Sequence, residues 1–180
     1  MKKLVLIAAM LMVVAALAGC GSSSSSSNIG GPVGTAAADG TLEIKISEVT
    51  FVLPKGYTAT EIAGGAETTG PANETVFVYA ASTSEGERRM YEDSAHEWLE
   101  MLAKRYGEGL KEIGKKTFGD VAFQDIGGVE YAVLRGSADK EGAVSHIAVV
   151  CAHRNDKRVA AIAITPNESD LALDVVKAIK

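Results

Sequence analysis

Alternation of apolar and polar side chains first becomes regular at Leu42-Glu43-Ile44-Lys45-Ile46, which predicts a half-buried strand. Val49-Thr50-Phe51-Val52-Leu53, β-branched and aromatic, predicts a second, stopped by Pro54-Lys55-Gly56. From Tyr57 to Asn73 the chain is rich in Gly, Thr and Ala and reads as a loop with room for a short strand at Thr58–Ile62. Thr75-Val76-Phe77-Val78-Tyr79-Ala80-Ala81 predicts a further strand. Then the period changes. Tyr91, Ala95, Trp98, Leu99, Leu102 and Tyr106 fall on one helical stripe, with Glu100 and Lys104 as an outward i,i+4 pair and Gly107 and Gly109 as stop signals. Trp98, in that stripe, reads as a core anchor.

Beyond Thr117 the pattern is that of a meander. Val121 to Gln124 and Val129 to Arg135 flank Asp125-Ile126-Gly127-Gly128, a hairpin turn, and Ala143 to Ala152 and Arg158 to Thr165 are joined by Arg154-Asn155-Asp156-Lys157. Strands joined by such short turns must pair antiparallel. Thr165-Pro166-Asn167-Glu168 has the form of a capping box with proline at the first helical position, and Leu171, Val175 and Ile179 give the closing helix a buried face beside Ala172 and Val176. An apolar sheet face needs a cover, which two amphipathic helices supply. The expected class is α+β: an antiparallel sheet of about six strands covered by two main helices.

Upstream of all this, Lys2 and Lys3 precede an apolar run from Leu4 to Leu17, and small residues lead to Cys20. Charge, apolar run and small-residue site form an export signal over residues 1–19, too short to span a bilayer, which needs about 20 apolar residues. Leu17-Ala18-Gly19-Cys20 resembles the lipobox of bacterial lipoproteins. That resemblance implies removal of residues 1–19, a diacylglycerol thioether on the Cys20 sulfur and acylation of the new amino terminus. Two chains would hold the protein firmly, where one binds only marginally. Residues 20–40, opening on Ser22 to Ser27, read as a lipidated cysteine and a Ser/Gly tether with a root-mean-square span of about 25 Å, and residues 41–180 as one domain. The expected location is a cell membrane or outer membrane, with the domain extracytoplasmic.

Charge and cysteine content narrow the partners. The leader's only charges are Lys2 and Lys3, so its removal takes the formal charge from −5 to −7. An acidic domain is a poor match for nucleic acid or for an anionic lipid surface. With Cys20 lipidated, Cys151 is left without a disulfide partner, and stability must come from packing.

The order of elements resembles the Mog1/PsbP-like family. The likeness is carried by Phe51-Val52-Leu53-Pro54-Lys55-Gly56-Tyr57, similar to the family's strand-Pro-x-Gly-aromatic opening, and by Gly128-Val129-Glu130-Tyr131-Ala132-Val133-Leu134, similar to its central strand. It implies an antiparallel sheet sandwiched by helices and a role as an assembly factor or binding partner, not a catalyst. It brings no catalytic residues to carry over.

The remaining constellations are chemically thin. Gly109-Leu110-Lys111-Glu112-Ile113-Gly114-Lys115 imitates a P-loop, but Lys116 stands where Ser or Thr would meet Mg²⁺, and the run follows a helix instead of a strand. Its lysines, Lys115 and Lys116, read as a basic loop and a local contact patch. His96-Glu97-Trp98-Leu99-Glu100 has Glu100 where a zincin has its second histidine, and two ligands do not make a metal site. Cys151 and His153 share strand parity as nucleophile and base would, yet Ile147, Val149 and Cys151 alternate as a buried face. No catalytic, metal or cofactor residues are assigned; the one site residue is Cys20, for lipidation. The reading is a membrane-anchored, non-catalytic binding or assembly module with an envelope protein as partner. The alternative is a lipid-anchored carrier with a small-ligand pocket between the sheet and the Tyr57–Asn73 loop.

Overall fold

A computed structural model describes residues 30–111 and 113–180. The leader, Cys20 and the first part of the linker lie outside the described residues. Among the described residues the chain forms ten strands and three helices: β1 Thr35–Ala36, β2 Leu42–Ile46, β3 Val49–Leu53, β4 Thr58–Ile62, β5 Gly65–Thr69, β6 Thr75–Ser82, α1 Glu85–Asp93, α2 Ala95–Gly109, β7 Lys115–Ile126, β8 Val129–Lys140, β9 Ala143–Arg154, β10 Lys157–Thr165 and α3 Leu171–Lys177.

Seven strands make the main sheet, in the order β4-β5-β6-β10-β9-β8-β7, every neighbouring pair antiparallel. The long meander from β7 to β10 turns on two-residue loops, Gly127-Gly128, Glu141-Gly142 and Asn155-Asp156, each with both residues at positive φ. That is the turn geometry whose twist matches the strands it joins. Glycine, asparagine and aspartate supply most of these positions because they tolerate the left-handed region best.

The sheet has two covers of different kind. On one face, α2 buries Trp98, Leu99, Leu102 and Ala103 against Phe77, Leu134, Val149, Cys151 and Ile162. Each large side chain so buried contributes roughly 1.5–3 kcal/mol. The opposite face, with Val78, Val133, Val150 and Ala161, is covered by Phe51 and Leu53 of a small sheet β1-β2-β3 and by Val175 and Val176 of α3. β10 lies between both covers, and Val159, Ala160, Ala161, Ile162 and Ala163 are all buried. Such a strand reads as one apolar run instead of alternating.

Several expectations change. The sheet has seven strands, not six, and one of its faces is covered by a second sheet with a single short helix. The loop expected at residues 57–73 folds back on itself as the hairpin β4–β5; only its short strand was foreseen. The predicted helix is two, broken at Ser94, whose backbone is extended (φ −156°, ψ 94°) and whose Oγ caps α2 by accepting a hydrogen bond from Glu97 N–H. Thr165-Pro166-Asn167-Glu168 does not start a helix. The Thr165 hydroxyl donates to the Asn167 carbonyl at 2.6 Å, and α3 begins only after Asp170, with Ser169 Oγ accepting from Leu171 N–H. The capping box stands at Ser84 and Glu87, at the head of α1. Residues 30–36, expected within the linker, run along β4 and into β1: Gly30 N–H donates to the Glu61 carbonyl and Val33 N–H to that of Ala59, both at 3.1 Å.

Candidate functional site

α3 packs on β9 and β10, and the small sheet reaches β5 and β6. Tyr131 and Val133 of β8 are still buried on this face, and beyond them, from Arg135 to the end of β8, it opens to solvent. There the side chains of this face change from apolar to polar, with Ser137 and His146 half-buried and Thr117 and Arg135 exposed. Cross-strand register sets Thr117 of β7 opposite Ser137 of β8, Ser137 opposite His146 of β9, and His146 opposite Thr165 of β10. Directly opposed residues share a face, so hydroxyl, hydroxyl, imidazole and hydroxyl form one row across four strands, with rungs about 4.8 Å apart. One step along, Arg135 stands opposite Ala148, whose small side chain leaves room beside the guanidinium.

This row lines a cavity of about 400 Å³, bounded on the other side by Glu168 and Ser169 of the β10–α3 connection. Arg135 holds that connection in place, donating from Nη1 to the Ser169 carbonyl at 3.2 Å and from Nη2 to Asp170 Oδ1. Thr165 is committed to Asn167. Among the described residues, the Thr117 and Ser137 hydroxyls and both His146 ring nitrogens have no hydrogen-bond partner. The sequence reasoning missed this site. Its signal was present: the apolar alternation of β8 breaks at Arg135 and Ser137, and that of β9 at His146, on the same parity.

The residues singled out from the sequence are placed elsewhere and do not converge. Cys151 is fully buried under α2, and burial pushes its thiol well above the ordinary range. His153 follows two residues on, about 7 Å along the strand, beyond the roughly 3 Å a nucleophile–base hydrogen bond requires. Its ring instead stacks on Tyr91 at 4.4 Å, meets Trp98 edge-on at 5.7 Å, and lies 3.1 Å from the Thr83 hydroxyl. Burial lowers its pKa, with Arg88 acting in the same direction and Asp156 opposing. His96 lies over Phe123 and contacts Glu130 Oε1 at 3.1 Å, while Glu100 takes Lys104, so the i,i+4 pair does not chelate. Among the described residues no cluster of three or more His, Cys, Asp or Glu is arranged to hold a metal ion.

Lys116, expected in a contact patch, donates from Nζ to the carbonyls of Gly107, Glu108 and Leu110 and so caps the C-terminus of α2. In the Tyr57–Asn73 stretch, where a ligand pocket was expected, Tyr57 is buried and donates to Glu74 Oε1 at 2.9 Å. No helix of the described residues is long and apolar enough to cross a membrane.

A twisted antiparallel sheet with helices on one face and a small sheet plus a short helix on the other is a PsbP-like fold. Its likeness is to the solution structure of cyanobacterial PsbP (CyanoP) from Synechocystis sp. PCC 6803, with a TM-score of 0.57 and 12% identity over 83% of this chain and 97% of that one. At that identity the likeness is one of fold. No protein-family model matches the sequence, and no curated protein matches it.

Proposed function

We propose that this chain is a bacterial lipoprotein, anchored through lipid on Cys20 to a cell membrane or outer membrane, whose extracytoplasmic domain is a non-catalytic binding or assembly module for another envelope protein. The Leu17-Ala18-Gly19-Cys20 lipobox supports the anchor, and the PsbP-like fold supports a binding role over a catalytic one. The observation that carries the reading is where the chain enters the fold. Residues 30–33 join the sheet along β4, at one edge, whereas the polar cavity centres on β8 and β9. From β4 to β9 is four strand spacings, about 19 Å. A domain held from the β4 side keeps its far side clear of the anchor and free to meet a partner.

Fractionation of cells producing the natural chain and a Cys20→Ser variant tests the anchor. The natural chain partitions with membranes and the variant is released; a variant that stays membrane-bound refutes the anchor. Cross-linking in intact cells tests the partner, and capture of no envelope protein counts against the assembly role. The cavity favours a second reading, a lipid-anchored carrier of a small molecule. At about 400 Å³ it has the size of a small-molecule site, and hydroxyls, an imidazole and a guanidinium stand among its lining.

A further inference from the structure

We propose, resting on that second reading, that the cavity over β8 and β9 binds a neutral polyhydroxylated molecule, a saccharide unit. Charge decides the class first. Arg135 is the cavity's cation, and Asp170 and the Ser169 carbonyl already engage it. Glu168 on the rim leaves the immediate surroundings negative, within a chain of formal charge −5. A free phosphate or carboxylate meets no uncompensated positive charge there, and displacing Asp170 would leave that carboxylate without its partner.

Hydrogen-bonding capacity decides next. The Thr117 and Ser137 hydroxyls each donate once and accept twice, and the two ring nitrogens of His146 add further hydrogen-bonding positions. These groups stand side by side in register on a rigid antiparallel sheet, and none is paired among the described residues. A ligand matching them must itself present several groups that both donate and accept, spread over more than one rung spacing of about 4.8 Å. Sugar hydroxyls have that property. Glu168 supplies an acceptor from the opposite wall and the remaining Arg135 N–H groups supply donors from the sheet side, while Ala148 offers an apolar surface for a ring's C–H groups.

The test uses the full chain in a zwitterionic detergent without a sugar headgroup, followed by amide and imidazole NMR. Neutral mono- and disaccharides form one arm, a soluble neutral oligosaccharide a second, and inorganic phosphate and acetate a third. Expected is saturable movement of the Ser137, His146 and Thr117 signals with at least one neutral sugar, little changed by raising the salt. Ser137→Ala should weaken it roughly fivefold, the effect of one lost hydrogen bond, and Thr117→Val should do likewise. Tighter binding of the oligosaccharide than of its monomer assigns a polymer as the source, and equal affinity assigns free sugar. Phosphate or acetate moving those signals while the sugars do not overturns the saccharide assignment and leaves the carrier reading standing. No movement in any arm overturns both.

Discussion

Gly136 forms part of the cavity floor, and adding one methyl group to it tests whether β7 and β8 pair in the register that builds the polar row. A Cβ at this position would lie 2.5 Å from the Thr117 carbonyl oxygen, with the Phe118 ring nearer still. The ring can swing aside. The carbonyl is backbone, so β7 must move away from β8 by about an ångström to restore contact distance. Overpacking of this kind costs about 1–3 kcal/mol. Because Thr117 and Phe118 pair with Ser137 and Gly136, the same movement loosens the first rungs of the edge strand, which puts Gly136→Ala at the upper half of that range. Urea titration followed by Trp98 fluorescence measures it, since the indole is 1% exposed and reports loss of the core directly. At roughly 2–4 °C per kcal/mol for a chain of this size, the melting temperature should fall by about 4–12 °C. Gly119→Ala is the control: its Cβ would meet only the Arg135 carbonyl, at 3.9 Å, and its stability should stay within about 0.5 kcal/mol of the natural chain. If Gly136→Ala is as stable as Gly119→Ala, the register at this end of β7 is wrong and the row falls with it.

Other perturbations read the remaining parts of the fold. Ser84→Ala removes the N-cap of α1, whose hydroxyl accepts from Glu87 N–H and whose own N–H is bound by Glu87 Oε2, and should cost about 1 kcal/mol by urea titration. Cys151 should resist iodoacetamide in the native protein and react only after unfolding; rapid native labelling would mean that the α2 face opens. His153 titrates at lower pH in the folded chain than in the unfolded one, where it binds protons near pH 6.5, so the unfolded state holds more protons in that window. Its contribution is therefore present above pH 6.5 and is lost as pH falls through the folded value. Urea midpoints at pH 7.5 and 5.5, chosen to bracket that range, should accordingly differ more for the natural chain than for His153→Gln, and equal differences would refute the burial of the imidazole beneath Tyr91.

Much of the fold was legible because its strands obey simple rules. β2, β3, β6 and the central parts of the β7–β10 meander were visible from β-branched alternation and two of its turns. But β7 was expected only over Val121–Gln124 and β8 only to Arg135, so the strand ends that carry Thr117 and Ser137, and the Glu141-Gly142 turn, were not. The hairpin β4–β5 was obscured by composition. Gly65-Ala66-Glu67-Thr68-Thr69 is small and polar, and its strand character comes from packing against β6, where Gly65 lies so near the Val78 carbonyl that no side chain fits. The break at Ser94 was hidden by an apolar stripe that continues across it, although Ser94 and Glu97 repeat the spacing of Ser84 and Glu87. The small sheet's role as a cover was not legible, since alternation shows that a face is buried and not what lies over it.

The cavity escaped notice for a reason that also explains its chemistry. Taken singly, Ser137, His146 and Thr117 are unremarkable polar residues near strand ends, where solvent exposure accounts for them. They become a site only through register, and register depends on turns that set each strand against the next. Gly127-Gly128 fixes β7 on β8, Glu141-Gly142 fixes β8 on β9, and Asn155-Asp156 fixes β9 on β10. A one-residue slip at any of them would turn a strand's polar set to the opposite face, under α2, where unpaired hydroxyls would be costly to bury. Two of these turns align Ser137, His146 and Thr165, while Thr117 joins the row only through the one-residue register shift between Phe118 and Val121, without which Phe118 would stand opposite Ser137. Binding at this place requires no mobile loop to assemble it, because the side chains stand on strands already fixed by the core.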